Sequence, residues 1–306
     1  MDRFQEMQIF MAVAEEEGFA AAARSLRISP PSVTRAIAAM EERIGTQLLS
    51  RTTRSLHLTE AGQRYLEDCR RILGELDEAE EAAAGSYSVP CGLLTVTASV
   101  LFGELYIAPL MADYLDQYPS VHLNAMFVDR VVSMADEGID VAIRIGHLRE
   151  NNLNAIKVGE VRQVICAAPA YFERYGRPKH PEDLSSANIV MSSASHLLSD
   201  WVFMKDSNPL SFRFNPRLVV TANQAAINIA SRGWGLTRVL SYQVASRVGA
   251  GELELVLEDF EPPALPIHVV YQKSNRVAAK VRTFVDFLVE RLERDEALIP
   301  SAQGPT

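Results

Sequence analysis

The chain has 306 residues, with 30 basic against 39 acidic side chains and a net charge of −9. This length predicts two or three domains, each able to bury a core of its own. A composition of 48% hydrophobic and 23% charged residues is typical of a globular protein and argues against a disordered or fibrous one. The acidic balance, taken alone, argues against a nucleic-acid-binding protein, because DNA affinity depends largely on cations at phosphates.

The cysteines and the apolar segments bear on location. Cys69, Cys91 and Cys166 are widely spaced and form no C-x-x-C pair, so they predict thiols of a reducing compartment. The N-terminus lacks the basic start and apolar centre of a signal peptide. The most apolar stretch, 93–115, is interrupted by Glu104 and Pro109, which argues against a membrane span. We therefore expect a cytoplasmic protein that does not enter the membrane.

The charge is unevenly distributed along the chain. Residues 24–57 carry six arginines against two glutamates, a net charge of +4, whereas residues 58–85 carry a net charge of −5. No lysine precedes Lys157, so every early cation is a guanidinium, which suits phosphate oxygens and guanine edges. This pattern leaves two interpretations open: a DNA-contacting segment, or an arginine-rich surface without a partner.

The first helices are predicted by periodicity. A helix over 3–17 is indicated by apolar residues at helical spacing, and Gly18 is placed to end it as a C-terminal cap. These apolar residues are Phe4, Met7, Phe10, Met11 and Ala14. The alanine-rich run 20–26 predicts a second helix of about two turns.

A third helix begins at Ser29, because a serine cap followed by Pro30 and Pro31 is a helix start. Val33, Ile37, Met40 and Ile44 share one face, and Gly45 ends the helix. The opposite face carries Arg35, Ala38 and Ala39, flanked by Ser32 and Thr34. An apolar back and a small-residue front with an arginine fit a helix that enters a DNA groove.

Two short strands, 47–51 and 56–58, flank the polar stretch 52–55 and predict a hairpin. An arginine at its tip could enter a minor groove. Residues 1–59 are therefore predicted to form a winged helix-turn-helix domain, with the helix-turn-helix at about 19–38. The alternative is a three-helix domain used for protein contacts.

This segment resembles the DNA-binding domain of LysR-type transcriptional regulators. The matching residues are Ala20–Leu26, Ile28, Ser29, Ser32–Arg35, Glu41, Glu42, Gly45, Leu48, Leu49, Arg51–Arg54 and Leu58–Gly62. The resemblance implies double-stranded operator DNA as a partner, with RNA polymerase as a further one, and a set of DNA-contacting residues: Ser29, Ser32, Thr34, Arg35, Arg51, Thr52, Thr53 and Arg54. Pro30 stands where many members carry a base-contacting glutamine, which shifts base contact onto Ser32, Thr34 and Arg35.

Residues 60–85 predict one long helix with an apolar seam. The seam consists of Ala61, Tyr65, Cys69, Ile72, Leu76, Ala79 and Ala83. About 24 residues span roughly 36 Å, close to one turn of B-DNA, so two such helices could carry two winged domains. A lone helix lying on its own chain would show a similar pattern. The resemblance implies a dimer interface, at Tyr65, Cys69, Ile72, Leu76 and Ala79, in a homodimer or homotetramer, and a hinge at 86–90.

Residues 91–300 alternate strand-like and helix-like segments, which predicts an α/β fold with a largely parallel sheet. Predicted strands cover 93–98, 121–128, 139–145, 163–168, 189–192, 217–221, 235–240 and 267–271, and predicted helices cover 102–117, 131–137, 223–231 and 277–294. Residues 301–306 are expected to be a disordered tail.

This region also resembles the effector domain of the same family, at Gly103, Pro109, Leu110, Tyr114, Tyr118, Pro119, Gly138–Gly146, Asn223, Ala226, Ala230 and Gly233–Gly235. The resemblance implies two α/β lobes like those of a periplasmic binding protein. The lobes are expected at 91–161 with 266–300, and at 162–265, with crossings near 161–162 and 263–266.

Helix starts after predicted strands point to a ligand site. Ser99 and Asn223 stand at two such starts, and helix N-termini facing each other across a cleft suit a carboxylate. We therefore expect a small, anionic organic effector. The candidate residues are Ser99, Val100, Arg144, Gly146, Ser192, Ser193, Thr221 and Asn223. For Arg144 a structural ion pair is the favoured alternative, and the serines could simply satisfy turn backbone.

No motif for catalysis is found. The six histidines are scattered, and no H-E-x-x-H, G-x-S-x-G, P-loop or G-x-G-x-x-G is present. We expect no enzyme activity, no cofactor and no metal. The alternatives are a cytoplasmic solute-binding protein, a redox sensor using Cys166, or a metabolic enzyme with a DNA-binding appendage.

Overall fold

The computed structural model describes residues 2–16, 18–51, 56–84, 89–148, 153–193, 200–273 and 277–299. It consists of two compact units, residues 1–88 and 89–306. Each unit buries its own apolar core, so each is described by itself.

The first unit contains four helices and a two-stranded antiparallel hairpin. In chain order these are α1 (Arg3–Glu15), α2 (Phe19–Ser25), α3 (Pro30–Ile44), β1 (Leu49–Arg51), β2 (Leu56–Leu58) and α4 (Glu60–Ala84). Phe10 of α1, Ile37 and Met40 of α3, and Leu48 before β1 are fully buried together. The predicted order of helices and hairpin is present.

Two details of α1 differ from prediction. Gly18 does not cap α1: the cap is Glu16, and Gly18 precedes α2 in an extended conformation. The buried face is centred on Ile9, Phe10 and Val13, while Phe4 is exposed. Apolar residues surround most of this helix, so their spacing alone could not identify the face that meets the core.

Helix α3 begins and ends where predicted. Ser29 is its N-cap residue, but the Ser29 hydroxyl pairs with the Ser32 hydroxyl at 2.8 Å rather than with a backbone N–H. Gly45 ends the helix in the left-handed region, with φ of 79°. Ile44 is exposed, and Ala36 takes its place on the buried face.

Helix α4 packs on α1 through Leu66, Cys69 and Leu73, which are all buried. The Tyr65 ring lies 5.6 Å from that of Phe10, and Cys69 has no exposed surface. Cys69 therefore packs within its own unit, as Tyr65 largely does, and their place at a dimer interface stays a prediction. The sequence pattern combined two stripes: one faces α1, and the other contains the partly exposed Ile72 and Leu76. The Ala79 side chain lies outside the described residues.

The second unit contains two lobes with the same strand order. The first lobe has the order β4 (Val121–Phe127), β3 (Gly92–Ala98), β5 (Val141–Ile145), β14 (Leu265–Gln272) and β6 (Leu153–Val161). The first three strands are parallel, and β14 is antiparallel to both of its neighbours.

The second lobe repeats this arrangement. A three-stranded sheet, β12 (Thr237–Leu240), β7 (Gln163–Ala167) and β13 (Glu254–Val256), is antiparallel throughout. The parallel pair β11 (Leu218–Val220) and β8 (Val190–Ser192) joins β12 through a parallel bridge between Ile189 and Leu236. The chain crosses between lobes from β6 to β7 and returns at β14, within a few residues of the predicted positions.

Helices cover these sheets. They are α5 (Val100–Phe102), which continues through a π-helical segment (Gly103–Ile107) into α6 (Ala108–Gln117), and then α7 (Pro169–Tyr175), α8 (Asn223–Ser231), α9 (Ser241–Gly249) and α10 (Ala279–Leu292). Short 3-10 turns lie at Pro181–Ser186, Glu258–Phe260 and Glu296–Leu298.

The structure corrects two predictions in this unit and adds one element that was not predicted. The sheets are mixed rather than largely parallel, because the strands of the crossings run against the others. Residues 131–137 form turns instead of a helix, since the segment is short and Val132 and Met134 are pulled into a small core with Ile139. An unpredicted hairpin, β9 (Asp200–Lys205) and β10 (Asn208–Arg213), turns at two residues with positive φ, Asp206 and Ser207.

Candidate functional site

The exposed face of α3 is small and polar. Thr34, Arg35, Ala38 and Ala39 are exposed, opposite the buried back of the helix. The Thr34 hydroxyl donates to the Pro30 carbonyl at 3.2 Å, and Arg35 Nε donates to the Pro31 carbonyl at 3.4 Å. Both are local contacts at the first turn, which leave the remaining guanidinium nitrogens of Arg35 directed away from the core. This surface can approach base edges closely.

The other predicted DNA contacts divide into two groups. Ser29 and Ser32 lie at the start of α3 and pair with each other. The Arg51 side chain and residues Thr52, Thr53 and Arg54 lie outside the described residues, so their predicted roles stay predictions.

The arginines around α3 are either exposed to solvent or paired within the protein. Arg24 and Arg27 are exposed on the helix-turn-helix. Arg43 instead donates to the buried Glu6 carboxylate at 2.7 Å, and Tyr65 contributes to raising the Arg43 pKa. Arg43 therefore joins α3 to α1 and α4. Near it, the Glu41 carboxylate accepts from the N–H groups of Leu48 and Leu49 at 2.8 and 3.0 Å, which fixes the start of the hairpin against α3.

A cavity of about 270 Å³ lies between the two lobes of the second unit. The carboxyl ends of β3, β4, β5 and β8 contribute to its wall, which is the usual place for ligands in α/β sheets. Apolar side chains form much of the lining, among them Val131, Met191 and Trp201. A few polar groups converge among them, as in small-molecule sites.

Half of the predicted effector residues line this cavity. Ser99, Arg144, Ser192 and Asn223 do so. Val100, Gly146, Ser193 and Thr221 are not among the lining residues, and their effector-binding roles stay predictions. Ser193 donates its N–H and its hydroxyl to the Val220 carbonyl, at 2.8 and 3.3 Å, which ties β8 to β11.

The two helix N-termini are unequal. Val100 N–H donates to the Asp129 carboxylate at 3.1 Å, so the start of α5 already has an anionic partner from its own chain. Helix α8 begins at Asn223, as predicted; its N-cap residue is Ala222, and no side chain caps this nine-residue helix. Among the described residues, the start of α8 thus has no anionic partner, whereas the start of α5 has Asp129.

Three arginines line the cavity, and two are held by structural contacts. Arg130 donates to both oxygens of Glu137, at 2.8 and 2.6 Å. Arg144 donates to the Val132 carbonyl at 2.7 Å, so it anchors a loop through backbone rather than through the expected ion pair.

Arg238 is the third arginine, and it was not among the predicted effector residues. Its Nη2 donates to Gln163 at 2.5 Å, while its Nη1 is buried without a hydrogen-bond partner. The guanidinium lies 5.7 Å from the Trp201 ring centroid, and burial lowers the Arg238 pKa to about 10. The available signal was a cation inside the apolar strand 235–240.

The cysteines test the redox alternative. Burial raises the pKa of Cys69 to about 11 and that of Cys166 to about 12, so neither thiol ionises near neutrality. Cys91 is exposed. We expect Ellman's reagent to modify one thiol per folded chain at pH 8, and Cys91→Ser to remove that reaction. Rapid modification of Cys166 would instead favour a redox role.

Within the described ranges, no group of three histidine, cysteine or acidic side chains is arranged to hold a metal ion. The same part of the chain contains no helix that is both long and apolar enough to cross a membrane.

Comparisons with known proteins place both units. Residues 4–63 match the family of bacterial regulatory helix-turn-helix proteins, lysR family, and residues 88–293 match the LysR substrate binding domain. An HTH-type transcriptional regulator of Xanthomonas campestris pv. campestris (strain 8004) is 36% identical over 292 residues, which cover 94% of this chain and 85% of that protein. The HTH-type transcriptional activator AaeR of Escherichia coli (strain K12) is 30% identical over 95% of this chain and 94% of its own length.

Solved structures agree with these matches. The full-length Vibrio cholerae virulence activator AphB has a TM-score of 0.62 at 25% identity, over 94% of this chain and 99% of its own. CrgA from Neisseria meningitidis, a LysR-type transcriptional regulator, has a TM-score of 0.60 at 28% identity, over 94% of this chain and 98% of its own. The chain belongs to the LysR family of transcriptional regulators, with a helix-turn-helix DNA-binding domain and a substrate-binding domain.

Proposed function

We propose that this regulator binds operator DNA through the exposed face of α3 and is controlled by a small organic anion in the cavity between the lobes. The observation that carries the effector proposal is Arg238, whose buried Nη1 has no hydrogen-bond partner. A buried donor without a partner costs free energy, and a bound carboxylate would supply the missing acceptor. Since the target is DNA, the protein would act in the cytoplasm.

The surroundings of Arg238 support an anion with an apolar body. Asn223 and the uncapped start of α8 line the same cavity and offer further donors. Trp201 and Met191 provide a dry apolar wall for the rest of the ligand. The first lobe contributes Asp129, which would repel an anion from the α5 side. We therefore place the carboxylate at the second lobe.

A dimer through α4 is the proposed assembly, with a tetramer as a further possibility. Helix α4 has 25 residues, or about 37 Å, so a paired helix could set two α3 surfaces about one turn of B-DNA apart. Ile72 and Leu76 remain partly exposed beside the stripe that packs on α1. These two residues, with Ala79, are the proposed contact. Contact with RNA polymerase is also part of the proposal.

A thermal-shift screen of organic acids against the full chain tests the effector proposal. A ligand that binds only the folded state at a hundred times its Kd adds about 2.7 kcal/mol to the free energy of unfolding. We expect carboxylates with apolar bodies to raise the Tm, and neutral amides of the same shape to leave it unchanged. A screen in which no acid raises the Tm would contradict the proposal.

Replacement of Arg35 by alanine tests the DNA surface. Because the Arg35 guanidinium is exposed at the first turn of α3, we expect it to contact a base. Its loss should weaken operator binding by about 1–3 kcal/mol in binding free energy and relax preference at one base position. Gel shifts on operator and random DNA measure this difference.

Arg64→Ala is the matched control, since Arg64 is exposed on α4 and pairs with Glu60. Its operator affinity should stay within about twofold of that of the unmodified chain, because an exposed ion pair contributes little to stability. Equal losses on operator and random DNA in Arg35→Ala would show that Arg35 contacts phosphate rather than a base.

A further inference from the structure

Arg238 has a second neighbour outside the effector cavity. A small cavity of about 10 Å³ lies behind it, and Arg238 and Glu261 both line that cavity together with Gln163 and Phe203. The two charges influence each other: the Glu261 carboxylate favours the charged form of Arg238, and Arg238 favours the charged form of Glu261. Arg238 therefore lies between the place proposed for the effector and a buried carboxylate.

Glu261 lies where the chain returns to the first lobe. It follows the 3-10 turn Glu258–Phe260 and precedes β14. Arg162, the single residue between β6 and β7, donates from Nη1 to both Glu261 oxygens at 3.3 and 3.2 Å, and to Glu258 at 3.4 Å. The Glu261 carboxylate thus joins the two crossings between the lobes, and any change in its charge acts at the hinge.

The charge of Glu261 is poorly solvated. Its side chain is only 12% exposed, and burial raises the Glu261 pKa to about 7. Glu258 adds to this rise, whereas Arg162 and Arg238 oppose it. These are the charged groups that face Glu261 from the crossings, the 3-10 turn and β12.

We propose that Glu261 and the bound anion share Arg238, so that an anionic effector binds together with one proton that Glu261 takes from solvent. This inference rests on the proposed function, because it needs an anion at Arg238. An anion at Arg238 satisfies the guanidinium, which then stabilises ionised Glu261 less. Glu261 takes up a proton, and its contact with Arg162 changes from an ion pair to a neutral hydrogen bond. Effector binding is thereby linked to the hinge.

Anion affinity is expected to fall as the pH rises through 7. Above pH 7, ionised Glu261 competes for Arg238 and anion binding is weaker. Below pH 7, Glu261 is neutral, Arg238 has no counter-charge on that side, and anion binding is tighter. One linked proton changes the affinity by at most about tenfold for each pH unit.

The experiment uses benzoate as the probe, with benzamide as a neutral control of the same shape. Binding to the full chain is measured by calorimetry at pH 6 and pH 8, in two buffers with different ionisation enthalpies. We expect benzoate to bind about five- to tenfold more tightly at pH 6 than at pH 8. Proton uptake on binding should approach one at pH 8 and be small at pH 6, where Glu261 is already protonated, and benzamide should show no pH dependence. In Glu261→Gln, which mimics the protonated acid, benzoate affinity should not change with pH. Glu173→Gln, at an exposed position on α7, should behave like the unmodified chain.

A second measurement needs no ligand. The pKa of Glu261 in the folded chain lies above its ordinary value of 4.5, so ionised Glu261 destabilises the folded chain. The free energy of unfolding therefore falls between about pH 4.5 and 7, and the full loss is reached above pH 7. Glu261→Gln should therefore raise the Tm at pH 8 and leave it unchanged at pH 4.5. An equal change at both pH values would contradict the inference.

The benzoate experiment tests the proton linkage and the anionic site separately. Benzoate binding that is equal at pH 6 and pH 8, or that keeps its pH dependence in Glu261→Gln, overturns the proton linkage but leaves an anion-binding cavity. Absence of benzoate binding at both pH values overturns the anionic site itself, and the linkage with it.

Discussion

Replacing Arg238 by methionine is expected to abolish carboxylate binding in the cavity while the chain stays folded. Loss of a buried charged partner costs about 2–5 kcal/mol, which corresponds to a loss in affinity of about 30-fold or more. Methionine keeps an apolar stem against Trp201 and Phe203, where the guanidinium now lies. Since it also removes a buried charge with an unpartnered nitrogen, the Tm of the ligand-free chain should not fall at pH 6, where Glu261 is neutral and needs no counter-charge.

Arg130→Met is the matched control for this variant. Arg130 lines the same cavity, but its guanidinium already pairs with both oxygens of Glu137. Its loss should weaken carboxylate binding by less than about threefold, because exposed pairs contribute little. If Arg130→Met and Arg238→Met lost equal affinity, the anion would not be assigned to Arg238.

The effect on regulation follows from the separation of the two units. Arg238 lies in the second unit, so Arg238→Met should bind operator DNA with unchanged affinity when no effector is present. Adding carboxylates should then no longer alter the DNA complex. A variant that lost DNA binding without effector would indicate a structural role for Arg238.

The sequence predicted the first unit well because its determinants are local. The serine and prolines at the start of α3, Gly45 at its end and the alanine-rich α2 act through backbone preferences of neighbouring residues. The prediction failed where packing against residues distant in the sequence determines which face of a helix is buried. The buried face of α1 and the stripe of α4 that holds Cys69 depend on how these two helices meet.

The same difference between local signals and distant contacts applies to the residues of the cavity. Ser99, Ser192 and Asn223 could be predicted because strand ends and helix starts are visible in the pattern and converge in α/β folds. Trp201 could not, because it approaches from an unpredicted hairpin. Arg238 was missed although its strand was predicted, because the strand pattern does not show that the guanidinium meets the cavity. The Asp129 contact with α5 was also hidden, since it joins residues 29 apart. The net charge of −9 was least informative, because it averages an arginine-rich segment with acidic surroundings.

Replacing Gly62 by alanine is expected to unfold the first unit without affecting the second. Gly62 lies in the first turn of α4, where its N–H donates to the Thr59 hydroxyl at 2.9 Å. A Cβ at this position would lie 1.9 Å from the Leu48 carbonyl oxygen, which also accepts from Thr59 N–H. A backbone carbonyl cannot move aside as a flexible side chain can, so we expect a loss of about 3–5 kcal/mol in the free energy of unfolding. DNA binding should be lost with the fold of this unit.

Gly74 of the same helix provides the opposite case. In the part of the chain that the structure describes, no atom beyond the neighbouring backbone of α4 lies within 4 Å of a Cβ built there. Gly74→Ala should therefore stabilise α4 by about 0.5–1 kcal/mol through its higher helix propensity. Calorimetry and gel shifts on both variants measure the contrast, with carboxylate binding as the readout for the second unit. A Gly62→Ala protein that retained operator affinity and Tm would contradict the close approach of Leu48 to α4. Since both changes add one methyl group to one helix, opposite signs would show that the contact with the hairpin, rather than helix propensity, decides the outcome at Gly62.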